Sequence, residues 1–95
     1  MSEGQMLYEQ AALGIDVQSF LRTPVGIYLE RRAKEHRQNA LEQLSSVHCG
    51  QSVEILRLQY EARIPELFMQ WLSEAIASGF IAEAQLNEQE AIEND

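Results

Sequence analysis

Apolar side chains recur along this sequence at steps of three and four residues, and this spacing constrains its fold more than any other feature. The spacing matches the 3.6-residue period of an α-helix and places these side chains on one helical face. The sequence has no sustained apolar–polar alternation and no Asn-Gly or Asp-Gly turn, which are typical of strands and hairpins. Its 95 residues suffice for one small domain. We therefore predict an all-α protein with one helical domain, residues 1–79, and an acidic C-terminal tail, residues 80–95.

Two long helices are predicted for the middle of the chain. Thr favours the N-cap and Pro favours the first helical position, so the Thr23-Pro24 pair predicts a helix over residues 24–47. A break follows, and a second helix is predicted over residues 53–78, closed by Gly79. Pro65 removes a backbone hydrogen bond and predicts a kink near residues 61–65. Because the connection is about five residues long, we expect the two helices to pack as an antiparallel hairpin.

Each long helix carries an apolar stripe that we expect to face the other helix. In the first helix the stripe consists of Val25, Leu29, Ala33, Ala40, Leu41, Leu44 and Val47. In the second helix it consists of Val53, Leu56, Tyr60, Ile64, Leu67, Phe68, Trp71, Leu72, Ala75 and Ile76.

Short helical pieces within residues 5–22 are predicted to pack across this hairpin. Gly14 suits the end of a first piece, residues 5–13, and Asp16 can cap a second piece, residues 17–22. The tail has five acidic residues and no basic residue, and we expect about its last eight residues to be mobile.

A cluster of large apolar residues in the second long helix predicts a contact with another molecule. Phe68, Met69, Trp71 and Leu72 cannot all point in one direction, so one helical partner cannot cover them all. We predict that they bind a partner or a second copy of the chain. The alternative is that the N-terminal helices cover them.

Fifteen acidic and seven basic residues give the chain a net charge of −8, which opposes binding to nucleic acids and to anionic membranes. The exception is a basic segment formed by Arg31, Arg32, Lys34 and Arg37. It is predicted as a second partner-binding site. Pairing with acidic residues of this chain or of another subunit is the favoured interpretation, and binding of an acidic protein surface or of a nucleotide or nucleic-acid phosphate are the alternatives.

The start of the first long helix is a possible anion site. Free N–H groups at a helix N-terminus attract anions, Gly26 allows close approach, and Arg22 lies beside Thr23. The alternative is that these residues only cap the helix.

No constellation in the sequence predicts catalysis or metal binding. His48 and Cys49 are adjacent, but neighbouring side chains usually point apart, and the sequence has no Cys-x-x-Cys or His-x-x-x-His spacing. We predict no enzymatic activity, no catalytic residue, no metal and no cofactor.

The single cysteine excludes an intrachain disulfide and fits a cytoplasmic setting, and no apolar run is long enough to span a membrane.

Two runs of residues resemble a group of short helical proteins encoded in tailed-bacteriophage genomes. The first run is Phe20-Leu21-Arg22-Thr23-Pro24-Val25-Gly26-Ile27-Tyr28-Leu29 with Arg32-Ala33. The second run is Phe68, Trp71-Leu72, Glu74-Ala75-Ile76 and Gly79. The resemblance covers residues 15–79, and Pro65 departs from the smooth second helix that it implies. It implies no catalytic residue.

Together, these patterns predict a non-enzymatic, self-associating interaction or assembly protein that is encoded by a phage and resides in the host cytoplasm. Two alternatives remain open: an acidic inhibitor of a host enzyme or nucleic-acid-binding protein, and a small nucleotide-binding protein.

Overall fold

A computed structural model describes residues 2–93, and all regular structure in this range is helical. The helices are α1 (Glu3–Arg22), α2 (Pro24–Ser46) and α3 (Ser52–Glu93), and no strand occurs between residues 2 and 93. The prediction of an all-α protein is thereby confirmed.

The helices start beside residues that favour capping, and Thr23 also contributes to the end of α1. Ser2 caps α1, since its hydroxyl accepts a hydrogen bond from the Gln5 backbone N–H at 3.2 Å. α2 begins at Pro24, as predicted, and α3 begins at Ser52. The Thr23 hydroxyl donates to the Phe20 carbonyl at 2.6 Å, so this side chain caps the end of α1.

The two glycines predicted to end helices lie inside them instead. α1 continues through Gly14 and Asp16, and α3 continues through Gly79. Neither glycine has the positive φ of a left-handed helix end. A Cβ atom on Gly14 would lie 2.9 Å from the Gly79 Cα, so the backbones of α1 and α3 touch at this point. The glycines are therefore needed for a close helix crossing, not for helix ends.

α3 is much longer than the predicted second helix. It passes through the buried Pro65 and extends to Glu93, so residues 80–93 continue the second long helix beyond its predicted end at residue 78. Residues 94 and 95, the end of the predicted tail, lie outside the described residues. The extension has a physical cause, because Ala82 and Leu86 pack with residues of α1.

The chain divides into two compact units, and the first consists of residues 1–23 with residues 72–95. Its described part contains α1 and the C-terminal portion of α3. Leu7, Ala11 and Ala82 form its buried cluster, and Leu86 packs against them. α1 thus packs on the C-terminal portion of α3 through small and medium-sized side chains.

The second unit is Pro24–Trp71, which contains α2 and the first twenty residues of α3. Ala40, Leu58 and Ala62 are buried, and Leu58 is completely inaccessible. Arg37 Nε of α2 donates to Glu66 Oε1 of α3 at 2.6 Å. An apolar core and one ion pair between the helices therefore hold this unit together.

Candidate interaction surfaces

A line of large apolar side chains runs along α3 within the second unit and is open to solvent. The exposed fractions are 82% for Val53, 50% for Leu56, 61% for Tyr60, 65% for Ile64 and 61% for Trp71. Leu67, which is half-buried, completes the steps of three and four residues that place all six on one helical face. We call these six residues the α3 apolar face.

A second line of residues on α3 is covered. Leu58, Ala62 and Pro65 are buried, and Ile55 and Met69 are half-buried. These residues also follow steps of three and four, so α3 has two apolar faces. The predicted stripe from Val53 to Trp71 was expected to face α2, and this expectation is wrong for the most exposed positions. The line through Leu58 is the covered one because it contains Ala62, and α2 has the buried Ala40. Small side chains allow two helices to approach closely.

The predicted apolar contact residues are divided between covered and open positions. Trp71 is exposed on the α3 apolar face, whereas Phe68, Met69 and Leu72 are half-buried. Sequence reasoning missed Val53, Leu56, Tyr60 and Ile64 as candidate contact residues, because they also fitted a stripe between the helices. The sequence does contain a second apolar line at helical spacing, from Ile55 to Met69. Since one line is enough to pack against α2, the presence of two indicates that the other stays exposed.

α1 and α2 also expose apolar side chains, but in shorter groups. In α1 the exposed side chains are Met6, Tyr8, Leu13 and Ile15, and in α2 they are Val25, Ile27, Tyr28 and Leu29. Val25 and Leu29 were predicted to face α3. Neither group approaches the 19-residue length of the α3 apolar face.

The basic segment is an ion-paired surface. The side chains of Arg31 and Arg32 both lie beside Glu35, with nitrogen–oxygen distances of 4.0 and 3.8 Å. Lys34 Nζ lies 3.2 Å from Glu30 Oε1. Each of these pairs lies within α2, so acidic neighbours on the same helix reduce the positive field that an external anion meets.

Arg37, the last member of the basic segment, pairs with α3. Its partner Glu66 also lies 3.3 Å from Arg63 Nη1. The hydrogen bond from Arg37, followed by that from Arg63, holds the pKa of the Glu66 carboxyl below its usual value. The Arg37–Glu66 pair joins α2 to α3. It is an example of the pairing within the chain that was one interpretation of the basic segment.

The carboxylates at helical spacing in α3 are bound to one arginine. Arg57 pairs with Glu54 and with Glu61, the latter at 2.6 Å. The hydrogen bond from Arg57 lowers the pKa of Glu54, and the two carboxylates raise the pKa of Arg57. Glu54 is therefore ionised at neutral pH, which suits an ion pair and does not suit a proton donor.

The possible anion site and the His48-Cys49 pair show no ligand geometry. Gly26 is buried, and the Thr23 hydroxyl is bound to the Phe20 carbonyl. Arg22, His48 and the thiol of Cys49 are exposed. Between residues 2 and 93, no three His, Cys, Asp or Glu residues are grouped as a metal site would require.

The first unit contains an open groove of about 390 Å³ beside the acidic end of α3. Tyr8 and Leu86 contribute its apolar lining, and Glu83, Glu90 and Glu93 contribute carboxylates. This groove combines aromatic and acidic character on one surface.

Among the described residues, no helix combines the length and the apolar character needed to cross a bilayer. In comparisons with known proteins, no family model, no curated protein and no solved structure matches this chain.

Proposed function

We propose that this chain is a small, non-enzymatic interaction or assembly protein that functions as a self-associated oligomer. The observation that carries the proposal is the α3 apolar face, where five large apolar side chains are at least half exposed along one helix. Apolar patches of this kind on small proteins mark contact surfaces, and aromatic residues such as Tyr60 and Trp71 are enriched in them.

Within this proposal, Pro24–Trp71 works as an antiparallel helical hairpin that presents the α3 apolar face. The Arg37–Glu66 hydrogen bond supports this arrangement, because the two residues are 29 positions apart on the two helices. Arg31, Arg32 and Lys34 form a separate charged surface on α2, at which the proposal places a charged contact. The proposal retains the predicted phage origin and the cytoplasm of a host as the location, and the resemblance itself carries no role.

Replacing Trp71 with alanine tests the proposal. Because Trp71 is 61% exposed in the single chain, truncation removes little contact within the chain but much contact with a partner. Central aromatic residues typically contribute 2 kcal/mol or more to binding, so the dissociation constant of the oligomer should rise about 30-fold or more. Sedimentation velocity measures this constant, and the melting temperature should fall at concentrations where the wild type is associated.

A matched control separates this effect from a general loss of exposed aromatic surface. Tyr8 is also exposed, but it lies on α1 in the other unit. The Tyr8→Ala variant should sediment like the wild type. An unchanged sedimentation profile for Trp71→Ala would remove the basis of the proposal.

The acidic groove favours a second candidate function, inhibition of a host enzyme or nucleic-acid-binding protein by mimicry of phosphates. Its three carboxylates lie together along α3, which concentrates negative charge as a mimic of phosphates requires. Replacing Glu90 and Glu93 with glutamine removes two of these three charges without touching the core cluster. Loss of a captured nucleic-acid-binding protein with unchanged self-association would favour inhibition over assembly.

A further inference from the structure

We propose that the α3 apolar face binds the same face of a second copy of the chain, with the two helices antiparallel about an axis near residue 62. The inference rests on the proposed self-association and specifies the surface and the direction of that contact. Residue 62 lies midway between Val53 and Trp71, the two ends of the face.

The size of the face fits a dimer contact. From Val53 to Trp71 the helix extends about 27 Å, which matches the width of a standard interface on a small protein. The chain exposes 7124 Å², whereas a folded monomer of this mass exposes about 5,500 Å². This difference is spread over the whole chain. At the face itself, five large apolar side chains are at least half exposed, which offers apolar surface for a contact with a second copy.

The charge distribution permits two identical chains to meet at this face. The net charge of −8 makes the chains repel each other as a whole. The acidic residues of this part of α3 are nevertheless matched by arginines, since Arg57 pairs with Glu54 and Glu61, and Arg63 pairs with Glu66. The face therefore avoids the repulsion that other acidic parts of the chain would cause.

Two features favour the antiparallel direction. The two ends of the face differ in size, and an antiparallel pair places Trp71 of one copy beside the smaller Val53 of the other. In a parallel pair, the two acidic segments that follow residue 79, each with five acids and no base, would also leave the contact at the same end. Antiparallel pairing separates these like charges.

A pair of isoleucine variants tests the surface. Ile64 lies in the α3 apolar face, and Ile27 lies on α2 with a similar exposure. Ile64→Lys should raise the dimer dissociation constant at least about 30-fold, because a buried ammonium group would lie at the centre of the contact. Ile27→Lys should leave it unchanged. Each substitution makes the net charge less negative, so a loss of association cannot result from added repulsion.

The single cysteine tests the direction. Cys49 is exposed in the connection before α3, so a nitroxide on this thiol gives one distance between two copies. Pulsed electron paramagnetic resonance on the otherwise native chain should give about 30 Å or more for the antiparallel pair, because the helical rise from Ser52 to residue 62 counts once in each copy. A parallel pair would give less than about 20 Å, because packed helices lie about 8–10 Å apart.

The outcomes separate this inference from the proposed function. Loss of association for Ile64→Lys with a distance of about 30 Å or more supports the inference. A dimer that survives Ile64→Lys, or a distance below 20 Å, overturns the inference and leaves self-association standing. A labelled wild type that is monomeric overturns both. Far-ultraviolet circular dichroism verifies that Ile64→Lys is helical, and Tyr60→Gln replaces it if it is not.

Discussion

At the scale of single residues, Gly14 and Gly79 allow the backbones of α1 and α3 to touch. A Cβ atom on Gly14 would meet backbone atoms of α3, the Gly79 Cα at 2.9 Å and the Ala75 carbonyl oxygen at 3.1 Å. Backbone atoms cannot rotate away as a flexible side chain can, so any added atom must push α1 and α3 apart. The two glycines are thus required by packing.

Gly14→Ala should lower the free energy of unfolding by about 1–3 kcal/mol, because overpacking at the crossing outweighs the better helix propensity of alanine. The control is Gly4→Ala, since Gly4 lies in α1 with nothing within 4 Å of an added Cβ. This control should be neutral or stabilising by up to about 1 kcal/mol. Urea unfolding measures both, and a Gly14→Ala variant as stable as Gly4→Ala would contradict the close crossing.

The Arg37–Glu66 pair predicts a dependence of stability on pH. The pKa of Glu66 is lower in the folded chain than its ordinary value of 4.5, so the pair stabilises the folded state above pH 4.5. This stabilisation is lost as the pH falls through the folded pKa. In a double-mutant cycle with Arg37→Gln and Glu66→Gln, the coupling free energy should be favourable at pH 7 and should decrease as the pH falls through the folded pKa of Glu66. A coupling that persists in acid would refute the ion pair.

At the scale of elements, the sequence predicts that helices form, but it does not show which face of α3 is covered. Thr23-Pro24 predicts the start of α2, because the preferences of the first helical positions are local chemistry. The choice between the line through Leu58 and the line through Tyr60 depends on which face fits α2 more closely. Both lines have helical spacing, so periodicity alone cannot decide between them.

The end of α3 at Glu93 could not be predicted from local sequence patterns either. Glycine is common at helix ends, so Gly79 predicted an end there, and the acidic composition predicted a mobile segment. The contacts of Ala82 and Leu86 with Leu7 and Ala11 of α1 override both signals. These contacts join residues about 75 positions apart, which no local pattern reveals.

Two alanines test whether residues 80–93 are a packed helix. Ala82 is buried and Ala84 is exposed, two positions away on the same helix. Ala82→Asp should reduce the free energy of unfolding by about 2 kcal/mol or more, because it buries a charge beside Leu7 and Ala11. Ala84→Asp should change it by about 0.5 kcal/mol or less. Equal, small effects at both positions would indicate a segment that does not pack on α1.

At the scale of the whole molecule, apolar attraction and charge repulsion oppose each other when two copies meet. The α3 apolar face favours association, whereas the net charge of −8 opposes it. Salt screens the repulsion and leaves the burial of apolar surface intact. Association through the α3 apolar face should therefore strengthen with added salt, and association through Arg31, Arg32 and Lys34 should weaken.

The most direct test is sedimentation equilibrium of the native chain over a range of concentrations at low and high salt. We expect a mass of twice 10.8 kDa at micromolar concentrations and a tighter dimer at 500 mM than at 50 mM sodium chloride. A mass of 10.8 kDa at every concentration and both salt levels would contradict the claim that this protein acts by self-association.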